Sequence, residues 1–161
     1  MSLFSNKQES NLRSCIDMIE EVIASLGHAV DETRIETFDE WPGWCIRKGT
    51  ARVFVLLQGR GEENFLRVVA PVLEIDEGTK TLELFRRLLE LNAKEIYGAA
   101  FALRGNEIVL TAERSTLDLD RSEVLDLVER VQAYADHYDD ALASELGGKL
   151  ARVQDVRLFK Q

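Results

Sequence analysis

Two histidines and two cysteines are all that the 161 residues contain, and this scarcity removes most site chemistry at the outset. Neither His28 nor His137 has a companion ligand at helical or turn spacing, so no transition metal is expected. No serine stands in a nucleophile elbow and no cysteine pairs with a histidine in sequence. The chain is therefore expected not to be an enzyme. Cys15 and Cys45 are too far apart for a CxxC or zinc pattern and read as two buried, reduced thiols. Met1 to Asn11 has no apolar core of signal-peptide length, and no run approaches the ~20 apolar residues of a membrane span. A cytoplasmic protein with no membrane partner is expected. Basic charge is short as well: 20 Lys and Arg face 29 Asp and Glu, a net charge of −9 and a pI near 4.8. Such a field repels nucleic acid and anionic membranes.

Cofactor signatures are missing too. Gly59-Arg60-Gly61 lacks the later glycine of a dinucleotide fingerprint, and Gly147-Gly148-Lys149 lacks the glycine spacing and hydroxyl residue of a P-loop. Both read as turn chemistry, and no cofactor is expected. The cluster Asp136, His137, Asp139 and Asp140 has ligand-type side chains, but a helix scatters them around its polar arc. A solvated acidic face is the better account.

What the chain does have is apolar patterning. At 18.3 kDa and 45% hydrophobic content, one domain spanning residues 1–161 is expected. Leu12, Cys15, Ile16, Ile19, Ile23 and Leu26 recur at helical spacing, with Ser5 and Gln8 as an upstream capping box and Gly27 as the stop. This predicts a first helix over roughly Asn6 to Leu26. Short alternating runs follow, Arg34 to Phe38, Trp44 to Lys48, Ala51 to Gln58 and Asn64 to Ile75, which read as an antiparallel meander. Reversals fall at Trp41-Pro42-Gly43-Trp44, Lys48-Gly49 and Gly59-Arg60-Gly61. Val53 to Leu57 is apolar on both faces and predicts a central strand covered twice, while Pro71 implies an edge or a bulge. Trp41 and Trp44 are either core plugs at the sheet edge or an aromatic contact surface for a partner.

A second helix starts at Thr79 or Thr81 and ends near Asn92. Strands Tyr97 to Arg104 and Glu107 to Ser115 then form a hairpin around Gly105-Asn106, with Phe101, Leu103, Ile108 and Leu110 as core. Asp120 and Glu123 form a capping box, with Leu119 and Val124 in staple positions. They open a third helix with the stripe Val124, Val128, Val131, Ala135, Tyr138, Leu142 and Leu146, stopped by Gly147-Gly148. Residues 149–161 form a docked or flexible tail, with Val153, Val156, Leu158 and Phe159 as its apolar side chains.

The second helix is apolar over about 180°, wider than the ~100° stripe that one sheet requires. Leu82, Phe85 and Leu89 form one sector, and Leu84, Leu88 and Leu91 form the adjoining one. One sector is expected in the subunit's own core and the other in a homodimer interface, since monomers avoid large exposed apolar patches.

The element order α-β-β-β-β-α-β-β-α, with Leu88-Leu89-Glu90-Leu91-Asn92, Gly98, Phe101-Ala102-Leu103 and the helix from Asp120 to Gly147-Gly148, resembles the YbjN family. That family is similar in fold to the class I type III secretion chaperones. The resemblance implies an α+β fold, helices packed on a twisted antiparallel sheet, usually paired as a homodimer. It also implies a non-enzymatic role in binding another polypeptide or in regulation, and it supplies no catalytic residue. The alternative reading is a small-molecule sensor or enzyme with a pocket between the last helix and the sheet.

Overall fold

The computed structural model describes residues 3–37, 40–48, 51–61 and 63–151. In chain order these form α1 (Leu3–Ser25), α2 (Val30–Thr33), β1 (Arg34–Ile35), β2 (Gly43–Lys48), β3 (Ala51–Arg60), β4 (Glu63–Glu74) and α3 (Thr81–Lys94). The chain continues with β5 (Ala100–Arg104), β6 (Glu107–Ser115), α4 (Arg121–Leu146) and β7 (Lys149–Leu150). All pairings are antiparallel, in the order β1-β2-β3-β4-β6-β5, with β7 also on β4. Helices cover one face of the sheet. α4 lies over β3, β4 and β6, with α1 beside it and α3 between it and β5.

α4 is the best-signalled element and forms as its sequence dictates. The Asp120 side chain accepts from the Glu123 N–H at 3.0 Å, and Glu123 returns a bond to the Asp120 N–H at 3.0 Å, so two orphan donors of the first turn are satisfied. The Ser122 hydroxyl and the Glu123 N–H hold the Asp120 carboxyl below the usual range. Leu119 and all seven stripe residues from Val124 to Leu146 are buried. They meet a sheet face built from alternate residues, among them Val53, Val55 and Leu57 of β3 and Leu66, Val68 and Ala70 of β4.

Several expectations change in detail. α1 is already helical at Leu3, upstream of the capping box expected at Ser5 and Gln8, whose side chains lie outside the described residues. The expected first strand, Arg34 to Phe38, is reduced to two strand residues, Arg34 and Ile35, and a helical turn, α2, precedes it; the Thr33 hydroxyl donates to the Val30 carbonyl at 2.7 Å and closes that turn. Phe38 and Gly49 lie outside the described residues. Lys80 rather than a threonine stands at the N-cap position of α3 and makes no side-chain capping bond, while the Thr79 hydroxyl is used in the preceding turn, donating to Asp76 Oδ1 at 3.1 Å. The fifth strand begins at Ala100, not Tyr97.

Pro71 sits in β4, between β3 and β6 in the sheet, and the register shifts between Pro71 and Leu73. The β3 ladder ends at Val69 and the β7 ladder begins at Leu73, so proline falls where β4 has only β6 beside it. Gly147-Gly148 does more than stop α4. A Cβ on Gly148 would lie 2.9 Å from the Glu74 carbonyl, and this closeness lets the following residues pair with β4 as β7. Of the expected tail, Lys149 and Leu150 thus form a seventh strand; Val153, Val156, Leu158 and Phe159 lie outside the described residues.

Glu20 ties α1 to the meander. Arg34 donates to it in bidentate fashion, Nε to Oε1 at 2.8 Å and Nη2 to Oε2 at 2.9 Å, and the Trp44 indole N–H donates to Oε1 at 3.2 Å. The Arg34 hydrogen bonds hold the Glu20 carboxyl below its ordinary value. A depressed folded-state pKa stabilises the fold above the unfolded carboxyl value of about 4.3, and this is lost as pH falls through the lower folded value. The melting-temperature gap between wild type and Glu20→Gln is expected to be largest at neutral pH and to shrink on acidification. A gap that does not change with pH would count against this linkage.

Candidate functional site

Strand alternation gives the sheet two unlike faces. Phe54, Leu56, Gln58 and Arg60 of β3 point away from the helices, as do Phe65, Arg67 and Val69 of β4 and Val109, Thr111 and Glu113 of β6. No helix covers this face among the described residues. Phe54 and Leu56 form a small cluster there with Ile35 and Cys45, and burial pushes the Cys45 thiol up. The double burial expected of β3 is present, with Val53, Val55 and Leu57 in the main core and Phe54 and Leu56 in this second cluster.

A groove of about 700 Å³ crosses the same face beside β5. Val69 and Val109 are buried in its lining, Ala100 and Ala102 keep the β5 side shallow, and Gln58, Arg67 and Thr111 add polar groups. Gln58 is only 9% exposed, and its Oε1 has no hydrogen-bond partner. Buried acceptors are normally paired, with protein or with water, and this one lines the groove, where its partner comes from outside the described residues. At one end Arg67 Nε donates to Glu113 at 2.7 Å, while Arg60 approaches the same carboxylate at 3.5 Å and lies over the Phe65 ring.

The predicted tryptophans go elsewhere. Trp44 is 1% exposed in the main core, bonded to Glu20, so it is no contact surface; its place in β2 turns it toward the helices. Trp41 is half-buried on the same side, its indole filling the space where a Cβ on Gly59 would be. Gly59 is therefore a strand residue seating a ring, and only Gly61 of that triplet turns the chain.

α3 divides its apolar surface as its two sectors predict. Leu84, Leu88 and Leu91 are buried in the subunit's own core and cannot form an interface, whereas Leu82 is 84% and Leu89 68% exposed, with Phe85 half-buried beside the core. Leu103, expected in the core, is exposed because it stands on the outermost strand next to the hairpin. α3 also guards that strand. Asn92 Oδ1 accepts from the Phe101 N–H at 2.8 Å and its Nδ2 donates to the Phe101 carbonyl at 3.1 Å, so part of the free edge is already satisfied.

The acidic face of α4 keeps Asp136, His137 and Asp140 exposed, while burial raises the Asp139 carboxyl. Among the described residues no group of His, Cys, Asp and Glu gathers into a metal set, and no helix is long and apolar enough to cross a membrane. The space between α4 and the sheet, where a small-molecule pocket was the alternative expectation, is packed with Val124, Val128, Val131, Ala135 and Tyr138; the groove lies on the opposite face. Gln58 could not be picked out in sequence, since it follows a run apolar on both faces. The alternation Phe65, Arg67, Val69 was the available signal.

Comparison with known proteins agrees with this architecture. A family model described as T3SS (YopN, CesT) and YbjN peptide-binding chaperone 1 matches residues 13–154. Among solved structures, a chain of the crystal structure of the ExsC-ExsE complex is similar, with a TM-score of 0.59 and 17% identity over 88% of this chain and 97% of that one. The fold is thus that of the type III secretion chaperones. A search of curated protein sequences finds no match.

The Asn92 clasp yields a stability prediction. Asn92→Ala strips both partners from the Phe101 backbone and is expected to cost about 1–3 kcal/mol in urea unfolding. Asn92→Asp keeps the acceptor for the Phe101 N–H and is expected to cost less. Equal losses in the two variants would mean that the N–H bond contributes nothing.

Proposed function

Because the chain belongs to the T3SS and YbjN peptide-binding chaperone family, we propose that it holds an extended segment of another polypeptide in the groove on the helix-free face of its sheet. The observation that carries this reading is the buried, unpartnered Oε1 of Gln58 above a lining that includes Val69 and Val109. An extended backbone supplies N–H donors at regular spacing, and its alternate side chains suit an apolar groove. The role is non-enzymatic, in the cytoplasm, as a chaperone or regulator. A chain of similar fold occurs in the ExsC-ExsE complex, which is consistent with a polypeptide client.

The groove is tested by filling it. Immobilised synthetic peptides of varied sequence are probed with the labelled protein, wild type and Ala102→Trp. The wild type is expected to bind a subset, and the tryptophan variant to lose that subset while keeping its melting transition. Binding that survives a filled groove would move the site elsewhere.

The same reading includes a homodimer through the outward sector of α3, Leu82, Phe85 and Leu89. Its support is the exposure of Leu82 and Leu89, two large side chains about two turns apart on one face of the helix, which soluble monomers avoid presenting together. α3 packs on the helix side of the sheet, so pairing through it leaves the groove accessible. In sedimentation equilibrium at micromolar concentration the wild type is expected to be a dimer, Leu82→Asp with Leu89→Asp a folded monomer, and Leu84→Asp unfolded. A monomeric wild type would sink this part.

A further inference from the structure

We propose that residues 152–161 of this chain lie in the groove and hold it until a client displaces them; the displacement, though not the occupancy, rests on the peptide-binding reading above. The argument starts where β7 ends. β7 runs antiparallel to β4, Lys149 opposite Glu74 and Leu150 opposite Leu73, and the Ala151 N–H still donates to the Val72 carbonyl at 3.3 Å. The next places beside β4 lie opposite Pro71 and Ala70, and from Val69 onward β3 is the neighbour. The chain therefore leaves the plane of the sheet at Pro71 or Ala70. On the helix side α4 lies over β4 and packs on β7, with Leu142 and Leu146 buried, and that exit is closed. The other face carries no helix among the described residues, and the groove begins there one strand away, at Val109, the β6 partner of Pro71.

Direction and length agree with this path. Continued over the open face toward lower β4 numbers, the chain passes Val69 and Arg67 and reaches Gln58, whose β4 partner is Phe65. From Val72 to Phe65 is about 23 Å at the usual strand rise, and residues 152–161 span about 33 Å when extended. Val156 and Leu158 stand two apart, so in an extended segment both turn the same way, onto Val69 and Val109. The backbone of the segment supplies the N–H donor for Gln58 Oε1, the buried acceptor with no partner among the described residues. A tethered ligand acts at an effective concentration on the order of millimolar, so a segment of modest affinity keeps the groove filled against a client that is present at much lower concentration.

Two measurements on the full chain test this. Thr111, which pairs with Val69 on one side and Ala100 on the other, is replaced by cysteine, and Cys45, on the same face, by serine. A second cysteine is placed in turn at Gln154, Val156 and Leu158, and disulfides formed within one chain in oxidised glutathione are read by mass spectrometry. At least one pair is expected to cross-link, and none when Asp140→Cys, exposed on α4, replaces Thr111→Cys. No cross-link to Thr111→Cys, or equal cross-linking to Asp140→Cys, overturns the proposal. In the second measurement a fluorescein-labelled synthetic peptide of residues 152–161 is titrated by anisotropy. The full chain with Leu158→Asp and Phe159→Asp is expected to bind it about tenfold or more tightly than the wild type, because its own segment no longer competes, and adding Ala102→Trp is expected to abolish that binding. Equal binding by wild type and double variant, or binding that survives Ala102→Trp, overturns it as well. The two readings fail separately. If the cross-link forms but no other synthetic peptide binds even the double variant, the occupancy stands and the client reading falls. If such peptides bind wild type and double variant alike and no cross-link forms, the client reading stands and the occupancy falls.

Discussion

The fold depends on one contact above all, the apolar stripe of α4 lying across β3, β4 and β6. That stripe decides which face of the sheet is dry. Once Val124, Val128, Val131 and Ala135 are seated, every strand residue is assigned by its parity: Val55, Val68 and Leu110 go under the helices, while Phe54, Val69 and Val109 go to the other side. A one-residue slip would exchange the two sets. The capping box at Asp120 and Glu123 and the close approach of Gly148 to β4 fix the two ends of α4, so register is held at both limits of the contact.

From that asymmetry comes the separation of the two candidate surfaces. The helix side is filled by α1, α4 and α3, and among the described residues Leu82 and Leu89 of α3 stay exposed there. Across the sheet, the side on which none of the described helices lies keeps a groove with buried valines, a shared carboxylate between two arginines and an unsatisfied amide oxygen. Association with a second copy and capture of an extended segment can therefore use different faces. Asn92 reinforces the division by occupying the Phe101 backbone on the outermost strand, which limits how far that edge can recruit another strand.

Much of the architecture was legible because local signals agreed with one another. The α4 stripe, its cap and its glycine stop all point to one helix, and each of the strands β2, β3, β4 and β6 begins or ends within two residues of the alternation in the chain. α3 was legible in a subtler way, as two apolar sectors, of which the one with Leu84, Leu88 and Leu91 is buried in the core. Where local rules left alternatives open or misled, tertiary context decided. Pro71 implied an edge or a bulge, and the irregularity is there, a register shift between Pro71 and Leu73 where two ladders leave a gap; only the flanking of β4 on both sides depended on tertiary context. Trp44 could be a core plug or a contact residue by sequence, and strand parity decides for the core. Gly59 looks like a turn, yet it makes room for the Trp41 ring.

By itself the sequence determined the class of fold, the order of its main elements, the absence of nucleophile-elbow and cofactor signatures, and the division of α3 into two apolar sectors, because each follows from periodicity, capping or residue inventory over short stretches of chain. Which sector of α3 turns outward, which face of the sheet stays without helices, and that Gln58 ends in a groove beside Val69, Val109 and Arg67 were decided only by tertiary structure. These depend on which strands become neighbours, and residues such as Gln58 and Glu113 are brought together by pairing across β3, β4 and β6, far apart in the chain. No local pattern carries that information.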